Sequence, residues 1–246
     1  MAILKDIDFE VPGFGELSDP PLAVPAYSNA LLGFNPRAYW RFGETSGATL
    51  ADETGNYPLS LTGNAALGEP GAIQADSDTA VRFNNGSAVS SIPVLPTGTG
   101  TPFSVAFWAR VPQGIINGGP FIRQLVPGVV GRMQFFLYGD GRMHFYVAGE
   151  GNFFANAVLD TNWRMFVLTR DATGVIRWYA DGRLDAEDTG HTTGIFPTTL
   201  NVGSVGNDPS DLYLDELSIL NQALSPDEVR WLYGLGIGRL ALPPAS

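Results

Sequence analysis

Beyond residue 37 the chain is written in short runs in which apolar and polar residues alternate, with Gly, Asp and Asn clustered between them. A period of two is the signature of a strand with one buried face. In the first half the candidate strands are residues 38–42, 59–61, 80–83, 87–92 and 103–111. In the last of these Phe103, Val105, Phe107 and Ala109 share one face, and Ser104, Ala106, Trp108 and Arg110 the other. Both faces are apolar enough for an inner strand of a sandwich. In the second half, residues 133–138 and 142–147 flank Gly139-Asp140-Gly141, a turn whose positive φ angles match hairpin twist. Residues 164–170 and 175–180 flank Asp171-Ala172-Thr173-Gly174, and Asp181-Gly182 leads into 183–187, so three strands meander in order. Residues 200–204 and 213–220 complete the set, and 112–131 reads as a long loop.

One segment near the end changes period. Ser225 is placed to cap a helix, Pro226 falls at the first helical position where its missing N–H costs nothing, and Glu228 can return a bond to the cap. Val229, Leu232 and Tyr233 would face inward, and Gly234 and Gly236 would end the helix. A helix of two to three turns needs a sheet beneath it.

Residues 1–36 show neither period, and Pro12, Pro20, Pro21, Pro25 and Pro36 each forbid a helix interior and a central strand. An extended arm is expected, able to reach on the order of 120 Å. Ile3, Leu4, Ile7, Phe9, Val11, Phe14, Leu31, Leu32 and Phe34 make it more apolar than a disordered tail, so it docks either on its own domain or on a partner. The expected organisation is an arm (1–36), one β-sandwich (37–238) and a tail (239–246) containing Pro243-Pro244.

Composition narrows the chemistry. No Cys is present, which excludes disulfides, zinc-thiolate sites and cysteine nucleophiles. A net charge of −11 without a basic stripe argues against nucleic acid. No window approaches 18 apolar residues, so no helical membrane insertion is expected. The first twenty residues lack the basic and apolar regions of a secretory signal, so work outside a cell would imply another export route.

Four segments carry a resemblance: AYWRFGETSG (38–47) with DETGNYPLSLTG (52–63); AVRFNNG (80–86) before FSVAFWARV; NWRMFVLTRDATGVIRWYADGRL (162–184); and LYLDELSILNQALSPDEVRWLY (212–233). In this order they resemble the laminin G-like branch of the concanavalin A-like lectin/glucanase superfamily, over residues 38 to 236 or so. The resemblance implies an all-β jelly-roll sandwich of two antiparallel sheets with one short C-terminal helix, found in lectin-like, adhesion and structural modules, often with bound calcium.

By that resemblance Asp215 lies near the turn that holds Asp52, and Asp52, Asn56 and Asp215 would supply oxygen ligands to a structural calcium. Asp215 shares strand parity with Tyr213, Leu217 and Ile219, so its carboxylate would face the core with them. The alternative is an Asx-turn at Asp52, with Asp215 accepting backbone N–H groups or an Arg. Glucanase members place a Glu-x-Asp-x-x-Glu run on one strand. Here Asp215 and Glu216 are adjacent and would point to opposite faces, and Tyr213 stands where a second carboxylate would be, so no catalytic residue is expected. His144 and His191 neighbour no nucleophile motif.

For glycans, Phe153 and Phe154 in a glycine-rich loop and Asn207, Asp208 and Asp211 in another are the candidate contacts, while Trp40, Trp108, Trp163, Trp178 and Trp231 fall inside strand or helix patterns that suit packing. The reading is a non-enzymatic structural or adhesion module, held by its arm to a virion surface as a head-decoration or tail-associated protein, forming homo-oligomers and contacting glycans. The alternative is a soluble lectin, and third comes a glycan-active enzyme. The neighbouring genes would separate these.

Overall fold

A computed structural model describes residues 26–74, 76–112, 118–124, 128–203 and 211–239. Its elements run α1 (Tyr27–Gly33), β1 (Ala38–Trp40), β2 (Thr49–Leu50), β3 (Leu59–Pro70), β4 (Thr79–Ser90), β5 (Phe103–Arg110), β6 (Gly119–Gln124), β7 (Met133–Leu137), β8 (Arg142–Val147) and β9 (Gly151–Val158). They continue with β10 (Arg164–Arg170), β11 (Ile176–Ala180), β12 (Arg183–Asp188), β13 (Leu200–Gly203), β14 (Asp211–Leu220) and α2 (Pro226–Gly236). All strand pairs are antiparallel, along the path β12-β11-β10-β5-β14-β4-β13-β6-β7-β8-β9. The path folds over itself into the expected two-layer jelly-roll sandwich.

The fold turns at β4. Residues 81–84 pair with β14 in one layer and residues 87–89 with β13 in the other. Between them Asn85 takes φ +58°, and Gly86 lies so close to β3 that a Cβ would meet the Asn64 carbonyl oxygen at 2.3 Å. The Asn-Asn-Gly run that reads as a break between two short strands is therefore a bend within one long strand. β3 follows it for twelve residues, well past the 59–61 expected, through two register shifts.

Inner faces interlock through aromatic rings. Phe107 of β5 lies 5.6 Å from Phe121 of β6 and 6.0 Å from Phe135 of β7, and Phe135 lies 5.7 Å from Trp178 of β11. The Trp178 indole N–H donates to the Phe153 carbonyl at 3.2 Å, so the largest inner ring leaves no buried donor unpaired. Phe103, Val105, Phe107 and Ala109 all belong to this core, as alternation predicts.

A second cluster covers the outer face of the β5-β10-β14 layer. Ala106, Trp108, Met165, Val167 and Tyr39 pack there beneath Tyr27 and Leu31 of α1 and Val229 and Leu232 of α2. The capping box forms as read: the Glu228 N–H donates to Ser225 Oγ at 3.3 Å, and the Ser225 N–H donates to Glu228 Oε2 at 2.6 Å. Of the two glycines expected to end α2, only Gly236 stands at its end. Gly234 lies inside the helix, and Gly236, its last residue, lies against Trp108, where a Cβ would meet a ring carbon at 2.3 Å.

The expected arm departs from its reading at its end. Residues 27–33 form a helix between Pro25 and Pro36, docked on its own domain, where Tyr27 meets Trp108 edge-on at 6.3 Å. Residues 1–25 and 240–246 lie outside the described residues. Within the expected loop 112–131 sits β6, and the glycine-rich segment around Phe153 is β9.

In a helix Gly→Ala ordinarily stabilises by up to about 1 kcal/mol. At Gly236 the methyl would meet the Trp108 ring, and overpacking of about 1–3 kcal/mol outweighs that gain. Gly236→Ala is expected to lower the midpoint of thermal unfolding; a rise would show that Trp108 yields freely.

Candidate functional site

Alternation that sends Met133, Phe135, Leu137, Met143, Phe145, Val147, Phe153 and Ala155 into the core leaves their neighbours on the outer face of β7, β8 and β9. Register places Phe136 opposite His144, and His144 opposite Phe154. Their rings form a row across three strands: Phe136 stacks on His144 at 4.9 Å and 15°, and His144 on Phe154 at 4.7 Å and 29°. Tyr138 leans over the row, 5.2 Å from His144 and 5.6 Å edge-on to Phe154, and is 44% exposed. Among the described residues neither helix packs on this face.

Polar groups frame it. His144 Nε2 lies 2.6 Å from Asn152 Oδ1. Burial lowers the His144 pKa against the opposing pull of that bond, so the ring is neutral at neutral pH and stacks as an uncharged aromatic. The Arg142 guanidinium lies 5.3 Å from the Phe154 centroid and pairs with Asp140 at 2.7 Å. Beside the row opens a cavity of about 250 Å³ walled by Phe136 and Tyr138, the 118–120 backbone and Gly139. An apolar ring platform next to a small cavity with a few polar groups is the usual build of a ligand site.

This site joins residues that sequence reading kept apart. Phe154 belongs to it, but Phe153 does not: it is buried, and the loop expected around both is strand β9, whose alternation divides them. The signal was present in QFFLYGDGRMHFYV, where the outward set Phe136, Tyr138, His144 and Tyr146 is aromatic. Asp211 is no loop residue either. It lies in β14 and accepts from Arg82 Nε at 2.9 Å and Nη2 at 2.8 Å. Asn207 and Asp208 lie outside the described residues.

The calcium set does not assemble. Asp52 Oδ1 accepts the N–H groups of Tyr39 at 2.7 Å and Thr54 at 3.2 Å, and Oδ2 those of Asn56 at 3.0 Å and Tyr57 at 2.9 Å, together with the Thr54 hydroxyl. Those donors occupy the lone pairs a cation would need, which is the Asx-turn alternative. The Asn56 amide turns back to the Thr54 carbonyl at 3.1 Å. Among the described residues no group of three or more His, Asp or Glu is arranged to hold a metal.

Asp215 is not where parity put it. Pairing jumps from Asp215↔Trp108 to Ser218↔Ala106, one extra residue in β14, and Glu216 takes φ +53° to absorb it. Leu212 and Leu214 before the bulge and Leu217 and Ile219 after it all face the inner core. Asp215 and Glu216 both turn to the helix-covered side, so the expectation of opposite faces fails because it assumed an unbroken strand. There the Ala72 N–H donates to Asp215 Oδ2 at 2.7 Å, while Oδ1 has no hydrogen-bond partner among the described residues. Glu216 accepts from the Tyr39 hydroxyl and, at 3.2 Å, from Arg41, which also meets Asp76 and Asp78. Both carboxyls are buried.

Burial, then the charge of Glu216, raises the Asp215 pKa well above the ordinary carboxylate range. A raised folded pKa means stability is fully present below the unfolded value of about 4 and is lost as pH rises through the folded one. Asp215→Asn removes that loss. Its unfolding free energy relative to the parent, measured by denaturant titration, should climb from pH 4 to pH 8, by about 1.4 kcal/mol for each unit of raised pKa; a difference independent of pH would show that Asp215 is ionised throughout.

No curated protein matches the chain. In three dimensions it is similar to the binding domain of botulinum neurotoxin DC in complex with rat synaptotagmin II, with 15% identity and a TM-score of 0.61 over 81% of this chain and 51% of that one. It is similar too to the structure of a botulinum neurotoxin type C whose cell entry depends on two ganglioside molecules (15%, 0.61, 83% and 52%) and to the serotype G binding domain (16%, 0.61, 81% and 50%). The chain thus spans about half the length of these structures, and identity this low shows a shared fold. Residues 77–230, more than half of the chain, match a laminin G-type family model, and the chain belongs to the concanavalin A-like lectin/glucanases superfamily.

Proposed function

We propose that this protein is a non-enzymatic carbohydrate-binding module whose contact surface is the outer face of β7, β8 and β9. The observation that carries it is the ring group Phe136, His144 and Phe154, with His144 buried and Tyr138 44% exposed beside it, which neither helix covers among the described residues and which borders a cavity of about 250 Å³. A pyranose has one face lined by C–H groups that stacks on a ring such as the half-exposed Tyr138, held in place by the stacked row beneath it, while its hydroxyls need a few fixed donors and acceptors at the edge. Asn152 and the 118–120 backbone stand at those edges. Two further supports are the membership of a lectin-containing superfamily and the likeness to toxin binding domains, one studied for its interaction with gangliosides.

Absence of catalysis is part of the proposal. Asp215 and Glu216 share a side but are sealed from solvent and engaged with Ala72, Tyr39 and Arg41. The aromatic face stands whether or not residues 1–25, outside the described structure, tie the module to a virion or other assembly.

An immobilised glycan panel probed with the intact chain tests the reading. At least one neutral glycan should be retained, and Tyr138→Ala should weaken it about two- to tenfold, since one stacked ring contributes about 0.5–1.5 kcal/mol. The thermal midpoint should stay within a degree or two, because Tyr138 is half in solvent. Binding that survives both Tyr138→Ala and Phe154→Ala would move the site elsewhere.

A further inference from the structure

Where β11, β12 and the end of α2 meet the far end of β9 lies a larger cavity, about 500 Å³, lined by Arg164, Arg183, Arg239 and Tyr233 with Asp181 and Asp185. On a chain with only fourteen basic residues and a net charge of −11, three arginines around one cavity are a local reversal of sign.

The two acids in the lining offset two of the three positive charges and leave an excess of one. Asp181 is spent on Arg164 Nη1 at 2.8 Å and on the Met165 N–H at 3.1 Å. Asp185 accepts the N–H groups of Asn156 at 2.5 Å and Ala157 at 3.1 Å, tying β12 to β9. The Arg183 and Arg239 side chains, by contrast, make no hydrogen bond or ion pair among the described residues. Two uncommitted guanidinium groups thus face one cavity whose carboxylates are already bound.

The wall between them is fixed. Tyr233 stacks on Trp108 at 5.8 Å and 18°, and it passes so close to Gly182 that a Cβ there would meet it at 2.9 Å. The Asp181-Gly182 turn, with both φ positive, holds this geometry. Burial and then Asp181 raise the Tyr233 pKa, and Arg239, Arg164 and Arg183 oppose that rise. Leu184, 56% exposed, adds an apolar edge.

A guanidinium presents its donors as a planar fork that matches carboxylate and phosphoryl oxygens. We propose that this cavity is a second binding site, separate from the aromatic face, for a small organic oxyanion: a molecule of sugar size whose carboxylate or phosphate is held by Arg183 and Arg239, with its body against Tyr233 and Leu184. The cavity volume lies in the range that encloses such a ligand.

Calorimetric titration of the intact chain with glucuronic acid, glucose 6-phosphate and glucose tests this. One or both anions should bind with one-to-one stoichiometry, glucose at least about tenfold more weakly, and the affinity should fall in 0.5 M salt. Binding of glucuronic acid alone would identify a carboxylate site, of glucose 6-phosphate alone a phosphoryl site. The double variant Arg183→Ala, Arg239→Ala should weaken the bound anion at least about tenfold, since charge-assisted bonds are the strong ones. Tyr138→Ala should leave it unchanged, which separates this site from the aromatic face. Failure of both anions to bind, equal affinity for glucose, or an affinity indifferent to salt would overturn the proposal, and the salt result needs no variant.

Discussion

Every strand must divide its side chains between two faces, and the structure follows from how that division is used. One face of each layer is spent on the inner core, where Phe107, Phe121, Phe135, Phe166 and Trp178 interlock. A stacked or edge-on ring pair adds about 0.5–1.5 kcal/mol to the burial of its apolar area, so the pairing of the two layers is strongly specified. Once that face is committed, the opposite set of residues has no freedom of direction. Its fate depends only on what covers it.

The two outer faces meet different fates. On β5 and β10 the outward residues Ala106, Trp108, Met165 and Val167 are apolar and are sealed by α1 and α2, which turns Trp108 and Tyr39 into core residues. On β7, β8 and β9 the outward set is aromatic and polar, and among the described residues nothing apolar lies over it except its own rings. Tyr138, 44% exposed beside the buried His144 ring, is the member of this group most open to solvent. Two breaks in alternation shape the rest: the Asn85-Gly86 bend carries β4 between layers, and the Glu216 bulge keeps leucines inward while turning two carboxyls out.

Much of the fold was legible because period and turn chemistry are local. The faces of β5, the hairpin at Gly139-Asp140-Gly141 and the capping box at Ser225 emerge from adjacent residues alone. The bulge did not, since an extra residue leaves no mark on an apolar run such as Leu212 to Leu220 and is visible only against the partner strand. Counting by twos across it gave Asp215 and Glu216 opposite faces. β9 was hidden by Gly149 and Gly151, which read as loop residues but stand at the start of a strand. The candidate site was half legible: Phe154 was singled out, but joining it to His144 and Phe136 required the register of three strands. The cavity with Arg183 and Arg239 depends on α2 folding back over β12, and no local pattern announces it.

The central claim is that the uncovered aromatic row is a sugar-stacking surface. Aromatic side-chain NMR of the isotopically labelled intact chain, titrated with a pyranoside retained on the panel, tests it most directly. The account predicts ring-current shifts concentrated at Phe136, Tyr138, His144 and Phe154, with Trp108 and Tyr39 beneath the helices unmoved. Shifts concentrated on the helix-covered side, with the row silent at saturation, would contradict it.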